Sequence, residues 1–393
     1  MILFTIGSLL AGFRSNLQLL LFARVIQGIG AAMTMATNLG IITEAFPMAE
    51  RGRALGITGF IAALGAIMGP GIGGLLLGFL PWGYIFWINV LVGIALMILG
   101  AVVLNKDKTT ALSAFDRLGA TLLVPGLILL FGAFFIGQQV GFSNGLIVGA
   151  FVLAIVLLGS FIWHELHSDD PILDFGLFKN RQFSVSLTSA LFIFMTNFFF
   201  NVITPFYLEN ARQIKPQTAG LLLMIFPVAQ LIASPISGAI ADKLGANRLS
   251  LVGLLLLTIG QLSLILVGQS TSMAVFGVGI AILGFGNGTF QAPNNALSMG
   301  SVPSQQLGAA GGINAFAREL GMVTGIAAST TILFSAMGHK VGHHVSGYLA
   351  GQPAVFIYGM HVAFAVALTV CVILLIVNFY DAEKDPHGRV TIG

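Results

Sequence analysis

Two long stretches without a charged residue constrain this chain more than any other feature. No Asp, Glu, Lys or Arg occurs at the 52 positions between Arg53 and Lys106, or at the 69 positions between Arg248 and Arg318. A helix that crosses a bilayer needs about 20 mainly apolar residues, so each stretch is long enough for two crossings. Charged residues make up 8% of the chain, whereas soluble domains have about 25%. Lipid is therefore the expected solvent.

Division of the sequence at charged and turn-forming residues gives twelve apolar segments. They span 1–13, 17–43, 54–80, 84–104, 118–137, 146–163, 183–207, 217–241, 249–267, 273–292, 309–337 and 355–380. Backbone groups in lipid must be hydrogen-bonded within their own segment, which favours helices over isolated strands. The sequence therefore predicts an all-α, polytopic membrane protein.

The distribution of Lys and Arg predicts the orientation of these segments. The loops on one side carry eleven such residues and the loops on the other side carry four. Positive loops stay in the cytoplasm, so we expect the first set and the C-terminus to be cytoplasmic, in a cell membrane. The same bias accounts for the net charge of +3 without a nucleic-acid partner. The single cysteine, Cys371, permits no internal disulfide.

An internal repeat relates two parts of the chain. An ungapped offset of 256 residues gives 13 identities in 42 positions, including Gly65 with Gly321 and Gly69 with Gly325. The repeat pairs segments two and three with segments ten and eleven, so both copies cross the membrane in the same direction. This is the pattern of parallel repeats.

Three segments precede the repeated pair in the second half, but only one precedes it in the first half. The repeat therefore predicts a reading frame that begins upstream of Met1 and adds two helices and part of a third. The full architecture would have six, two and six helices, with twelve of the fourteen present here. The predicted divisions are an incomplete N-terminal bundle (1–104), two inserted helices (105–166), a cytoplasmic connector (167–182), a C-terminal six-helix bundle (183–380) and a cytoplasmic tail (381–393).

Four motifs give the chain a family resemblance. They are "RVIQGIGAA" at 24–32, "GAIMGPGIGG" at 65–74, "GAIADKLGANR" at 238–248 and "WHELHSDDPILDFGLFKNRQF" at 163–183. Together they resemble the major facilitator superfamily, in particular its fourteen-helix branch of drug:proton antiporters. The resemblance implies a secondary transporter that works by alternating access.

The motif at 65–74 predicts a tight, bent packing seam. Gly65 and Gly69 form one small-residue face and Gly69 and Gly73 a second, which let helix backbones approach closely, and Gly74 is a further candidate in the same motif. Pro70 removes a backbone donor and bends the helix. The resemblance implies that this seam seals the antiporter against leak and serves as a pivot. The alternative is a packing seam without a role in coupling.

Arg24 lies in the middle of the second segment, where a charge costs at least about 2.5 kcal/mol and needs an interior position and a partner. Gln27, one turn further along, can bond to the guanidinium but cannot neutralise it. The resemblance implies that this arginine tunes the protonation of an acidic residue in the family's first helix, outside residues 1–393. These residues alone are then expected to fail at proton-coupled export. The alternative is an arginine held only by helix-end carbonyl oxygens.

Two further groups of charged residues are candidates for coupling or gating. Arg318 and Glu319 begin the eleventh segment, and Glu319 either titrates in the cavity or belongs to a network at its mouth. Asp242 and Arg248 belong to the loop motif, where gating and plain topology signalling are equally compatible with the sequence.

Polar side chains with aromatic neighbours predict a cavity for amphipathic ligands. The candidate residues are Asn197, Phe198, Asn201, Asn287, Gln291 and Asn294. Hydrogen bonding between helices is the alternative. His339, His343 and His344 are too loosely spaced to favour a metal site over a solvated loop.

The sequence predicts a proton-coupled exporter of lipophilic or amphipathic compounds. It has neither a phosphate-binding GxxxxGK[ST] loop nor a constellation typical of an enzyme, and no cofactor or metal is expected. The expected partners are membrane lipid, a small-molecule substrate and protons, with a monomer as the working assumption. The alternatives are an uptake symporter of the same fold and a truncated, transport-inactive membrane fragment.

Overall fold

The computed structural model describes residues 1–13, 16–45, 71–103, 116–168, 171–303 and 306–384, together with positions 58, 61, 64, 65, 68 and 69. Within these residues the regular secondary structure is entirely helical. Ten of the described helical stretches are long and apolar enough to cross a membrane. The prediction of an all-α polytopic membrane protein is confirmed.

Twelve α-helices have described bounds. They are α1 (Ile2–Gly12), α2 (Leu17–Ala45), α3 (Tyr84–Val103), α4 (Arg117–Val140), α5 (Gly145–Glu165), α6 (Arg181–Phe206), α7 (Pro216–Leu223), α8 (Ile225–Leu244), α9 (Ala246–Ile265), α10 (Met273–Gly300), α11 (Leu307–Val341) and α12 (Pro353–Lys384). A 3-10 turn (Phe175–Lys179) precedes α6, and a π turn (Tyr207–Ala211) follows it. Residues 71–79 are also helical.

The predicted segments agree with these helices except at three places. Segment 217–241 divides at Met224 into α7 and α8, because Pro227 lacks the N–H that would bond to the carbonyl group of Leu223. Segment 183–207 continues through the π turn that follows α6. Segment 54–80 is described only in part, so its predicted course before residue 71 lies mostly outside the described residues.

Short polar side chains cap the beginning of some of the described helices. Asn180 begins α6 by accepting a hydrogen bond from the N–H of Phe183, at 3.1 Å, and Ser272 begins α10 in the same way. Between α8 and α9 the chain turns at Gly245, whose φ of 91° suits a residue without a Cβ. These caps set the register of the helices that carry the candidate site.

The chain divides into two compact units. Unit 1 comprises Met1–Ala111 and Lys215–Pro227, and unit 2 comprises Leu112–Ile214 and Val228–Gly393. Unit 2 contains the hairpin of α4 and α5 as well as α6 and α9 to α12. Its core is rich in large aromatic side chains that are less than 2% exposed: Phe183, Phe199, Phe200, Tyr207, Phe290, Phe356 and Phe364. The predicted division into bundles, inserted helices and connector stays a prediction.

Each unit packs in a way that follows the internal repeat. In unit 1, a Cβ at Gly30 of α2 would overlap the backbone of Phe4 in α1. In unit 2, a Cβ at the repeat-related Gly286 of α10 would lie 2.7 Å from the backbone N of Leu257 in α9. Both glycines therefore allow close contact between a helix and the helix before it.

Candidate functional site

Arg24 is the charged residue at the centre of the site in unit 1. Its Nη1 donates to Gln27 Oε1 at 2.7 Å, and Gln27 Nε2 donates to Ser8 Oγ of α1 at 2.8 Å. The Arg24 Cζ atom lies 5.5 Å from the ring centroid of Phe86 in α3. Gln27 is buried, whereas Arg24 is exposed. Three helices of unit 1 thus orient one guanidinium group.

No described carboxylate lies within 4.0 Å of the Arg24 guanidinium. Among the described residues, ion pairs join His164 to Asp116 and Arg181 to Asp381. Placing a charged side chain on an apolar membrane helix costs free energy unless the side chain faces the protein interior, water or a partner of opposite charge. The Arg24 guanidinium donates one described side-chain hydrogen bond, to Gln27, and its role in coupling stays a prediction.

A close helix contact in unit 1 joins the glycine-rich segment to α7. A Cβ at Gly74 would lie 2.7 Å from the carbonyl oxygen of Pro216 and 3.3 Å from Gly220 Cα. A Cβ at Gly71 would overlap the side chain of Met224, and one at Gly78 would overlap a side chain of α7. The two backbones therefore approach each other at Gly74 without side chains between them.

This contact lies on a different face from the predicted one. No described atom lies within 4 Å of where a Cβ at Gly65, Gly69 or Gly73 would stand. Within the described part of the chain, Gly74 is the one member of the predicted set with a close contact, and the predicted faces of Gly65, Gly69 and Gly73 stay a prediction. Small residues permit close approach but do not choose the partner, and α7 meets the face of Gly71, Gly74 and Gly78. Pro70 and its predicted bend lie outside the described residues.

In unit 2 the predicted cavity residues divide into a buried and an accessible group. Asn197 Nδ2 donates to Asn287 Oδ1 at 2.8 Å, and Asn294 Nδ2 donates to the carbonyl oxygen of Ser186 at 3.0 Å. These buried amides connect α6 to α10, which is the helix-packing alternative left open by the sequence. The accessible group consists of Phe198, Asn201 and Gln291, which are partly or fully exposed.

Arg318 and Glu319 differ in environment although they are adjacent in α11. Arg318 is half-buried, and its Cζ lies 5.8 Å from the ring centroid of Phe194 in α6. Glu319 is exposed. Neither residue forms an ion pair with any other described residue. The guanidinium of Arg318 is thus a second cation directed by an aromatic ring.

The loop motif lies at the junction of α8 and α9. Gly245 makes the turn, and Arg248 is exposed in the first turn of α9. The backbone of Asp242 is in α8, but its side chain lies outside the described residues. The roles predicted for Asp242 and Arg248 therefore stay predictions.

His339, His343 and His344 line a cavity of about 580 Å³ where α11 ends, beside Gln138 of α4. All three histidines are exposed. In the described part of the chain, no group of three or more His, Cys, Asp or Glu residues is placed to hold a metal ion.

Sequence reasoning did not identify Ser8, Phe86 or Gly78 as part of the site. Ser8 and Phe86 reach Arg24 and Gln27 from other helices, so no spacing within α2 could indicate them. Gly78 follows Gly74 by four residues, and that spacing was an available signal.

A family profile and several known proteins match this chain, and they indicate the same family. The profile described as Major Facilitator Superfamily matches residues 1–326 and 185–391. The riboflavin transporter RibZ of Clostridioides difficile (strain 630) is 30% identical over 387 residues, which are 97% of this chain and 81% of that protein. The multidrug transporter protein MdtP of Bacillus subtilis (strain 168) is 29% identical over 90% of this chain and 66% of its own.

The multidrug resistance protein Stp of Mycobacterium tuberculosis (strain CDC 1551 / Oshkosh) is 30% identical over 87% of this chain, and the match spans 64% of that protein. Among solved structures, a POT family transporter in complex with 5-aminolevulinic acid has a TM-score of 0.66 at 15% identity, covering 96% of this chain and 80% of its own. A bacterial homolog of the human lysosomal transporter Spinster, in an inward-facing and unoccupied conformation, has a TM-score of 0.65 at 15% identity. The match covers 100% of this chain and 83% of that chain. These structures support the fold alone.

Proposed function

This chain belongs to the Major Facilitator Superfamily and is a multi-pass membrane transporter, and on that premise we propose that it exports lipophilic or amphipathic small molecules in exchange for protons. The names of two relatives, multidrug resistance protein Stp and multidrug transporter protein MdtP, support this substrate class. The relatives and the solved neighbours are transporters rather than enzymes.

The observation that carries the proposal is the oriented guanidinium of Arg24. Gln27 and Ser8 hold it in place, and the described residues provide no carboxylate to neutralise it. A cation within about 4–6 Å of a carboxyl group favours the ionised form of that group. Arg24 would therefore promote the release of a proton from an acid that approaches it, and withdrawal of the acid would favour proton uptake.

The contact at Gly74 supports alternating access. Backbones that touch directly exclude solvent at that level, and they can separate without moving interlocked side chains. We propose that the glycine-rich segment and α7 close one side of the transport path and part when substrate leaves. Further candidates for gating are Glu319, Asp242 and Arg248. We also propose that the C-terminus lies in the cytoplasm.

The accessible residues of unit 2 support an amphipathic substrate. Phe198 offers an aromatic face, while Asn201 and Gln291 offer uncharged hydrogen-bonding groups. Such a mixture binds apolar rings with few fixed requirements on charge. The half-buried Arg318 adds one cation that would disfavour strongly cationic compounds beside Phe194.

Export of a fluorescent lipophilic dye tests this function. Cells that express the protein from its own gene should export the dye, and a protonophore should abolish the export. Arg24→Ala should behave like the protonophore, whereas Arg117→Ala, which removes an exposed arginine at the start of α4 that belongs neither to the Arg24 network nor to the gating candidates, should retain most of the activity. Export that survives the protonophore at the full rate would overturn the proposal.

Transport of a flavin is the second candidate, because the match to the riboflavin transporter covers nearly the whole chain. Uptake is the direction that the sequence left as the alternative. A flavin carries both aromatic rings and polar groups, which the accessible residues of unit 2 could also contact. Accumulation of labelled riboflavin in starved cells that express the protein, without dye export, would favour this alternative over the exporter.

A further inference from the structure

The hairpin of α4 and α5 carries a cluster of ionisable residues that lies outside the proposed transport site. Asp116 stands at the N-terminus of α4, and His164 and Glu165 stand at the C-terminus of α5. The chain then enters the connector, where the N–H of Leu173 donates to Glu165 Oε2 at 2.9 Å. The cluster thus joins both helices of the hairpin to the segment that leads into α6.

Asp116 is well supplied with hydrogen-bond donors. Its Oδ1 accepts the N–H of Gly119 at 2.8 Å, and His164 Nε2 lies 3.0 Å from both of its carboxylate oxygens. The Gly119 N–H is the largest cause of a lowered pKa of Asp116, and the contact with His164 lowers it further. Asp116 is therefore held in its ionised form.

Glu165 is buried but incompletely paired. The residue is 3% exposed, and its Oε1 atom has no hydrogen-bond partner. A polar atom left unpaired in the protein interior loses the hydrogen bonds it would make to water, and this loss is larger for a charged group. An ionised Glu165 would also be a second negative charge beside the ionised Asp116.

The two carboxyl groups lie on the same side of the first turn of α4. A methyl group at Gly119 would contact Asp116 Oδ2 and would stand 2.7 Å from Glu165 Oε1. The two oxygens are thus within the ~4–6 Å at which one carboxylate disfavours the ionisation of another. A proton on Oε1 would remove the second charge and turn the unpaired atom into a donor.

We propose that Glu165 carries a proton on Oε1 and offers it to Asp116 Oδ2, which makes this end of the hairpin a proton-binding site. The described groups that face the site are Asp116 before α4, His164 on α5 and the backbone of the connector at Leu173; Asp169 and Asp170 lie outside the described residues. The N–H of Leu173 binds Glu165 Oε2 in both states, and it binds the ionised group more strongly. Loss of the proton therefore sets this attraction against the repulsion between two neighbouring anions.

Infrared spectroscopy of the full protein tests this assignment, because a protonated carboxyl group absorbs separately from a carboxylate. At neutral pH the spectrum should contain a protonated-carboxyl band that Glu165→Gln removes. Asp116→Asn should shift the band, since it changes the acceptor of the proton. The matched control Glu383→Gln, which changes an exposed carboxyl group at the end of α12, should leave the band in place.

A spectrum that Glu165→Gln does not change at neutral pH would overturn the proposal. If Glu165→Gln does not fold, Gly119→Ala provides a second test, because it keeps both carboxyl groups and brings a methyl group against Asp116 Oδ2 and Glu165 Oε1. The band should then shift, and an unshifted band would equally overturn the assignment. Both outcomes are independent of dye export, so the proton site and the proposed transport function can fail separately.

Discussion

The two copies of the internal repeat use corresponding positions for different purposes. In unit 1, Arg24, Gln27 and Ser8 form a hydrogen-bonded chain between α1 and α2. At the offset of 256 residues, unit 2 has apolar residues that are at most 1% exposed. They are Ile280, Leu283 and Leu264. The same pairing of helices therefore accommodates either hydrogen-bonded polar side chains or an apolar core. Packing alone does not require the hydrogen-bonded side chains of unit 1.

The glycines of the repeat also differ between the two copies, and here the second copy makes the close contact. A Cβ at Gly321 or Gly325 of α11 would overlap the backbone of α6, whereas Gly65 and Gly69 meet no described atom within 4 Å. The offset carries α6 to positions before residue 1, so none of the described helices of unit 1 corresponds to it. Glycine spacing thus indicates where a close partner is permitted, and only the structure shows whether one is in contact.

The largest effect is expected at the glycines that contact α6. Gly325→Leu should destabilise unit 2 by about 1–3 kcal/mol or more, because the new side chain would overlap the Met195 carbonyl oxygen and the α6 backbone cannot yield easily. Cys371 is fully buried in unit 2, so its reaction with a thiol-specific dye during heating reports unfolding. Gly69→Leu is the matched control and should leave this melting temperature unchanged. Equal shifts in both variants would remove the distinction between the two copies.

The contact between Gly74 and α7 should matter for transport rather than for the stability of unit 2. Gly74→Leu should lower dye export severalfold, because the side chain would separate the backbones at Pro216 and Gly220. Gly73→Leu changes the neighbouring residue, which meets no described atom, and should retain export. Export rates normalised to the amount of protein provide the measurement. A larger loss in Gly73→Leu would place the functional face elsewhere.

A smaller effect is expected at Ser8, which acts on Arg24 only through Gln27. Ser8→Ala removes the bond within helix α1 to the Phe4 carbonyl oxygen and the bond from Gln27. The second of these acts on Arg24 and is worth about 0.5–1.5 kcal/mol, which corresponds to a change of up to about tenfold in rate. Export should therefore fall severalfold but not vanish, while the Cys371 melting temperature stays constant. Complete loss of export would show that Ser8 has a direct role.

The smallest effect concerns the pH dependence of the stability of the α4–α5 hairpin, which lies outside the repeat. The pKa of Asp116 is lowered in the folded protein, so its contribution to stability is present above the unfolded pKa and is lost as the pH falls through the folded value. Asp116→Asn should thus make the hairpin's stability less dependent on pH in the acidic range. Melting temperatures of both proteins across that range, compared with Glu383→Gln, provide the measurement. An unchanged acid dependence in Asp116→Asn would contradict this role.

Much of the fold could be predicted because hydropathy and charge determine which segments enter lipid. The division at Met224 and the π turn at Tyr207–Ala211 depend on hydrogen-bond register, to which hydropathy is insensitive. The bond between Arg24 and Gln27 follows from their spacing of one turn. The contact of Gln27 with Ser8, and the choice of Gly74 over Gly69 as a packing surface, depend on neighbouring helices that a local pattern does not specify.

The central claim is that Arg24 couples substrate export to protons, and substrate-driven proton movement tests it most directly. The protein, expressed from its own gene, is reconstituted into liposomes that contain a trapped pH-sensitive dye, and a substrate gradient is imposed without a proton gradient. We predict that protons move in the direction opposite to the substrate in the wild type and do not move in Arg24→Ala. Substrate flux without proton movement in the wild type, or equal proton movement in Arg24→Ala, would contradict it.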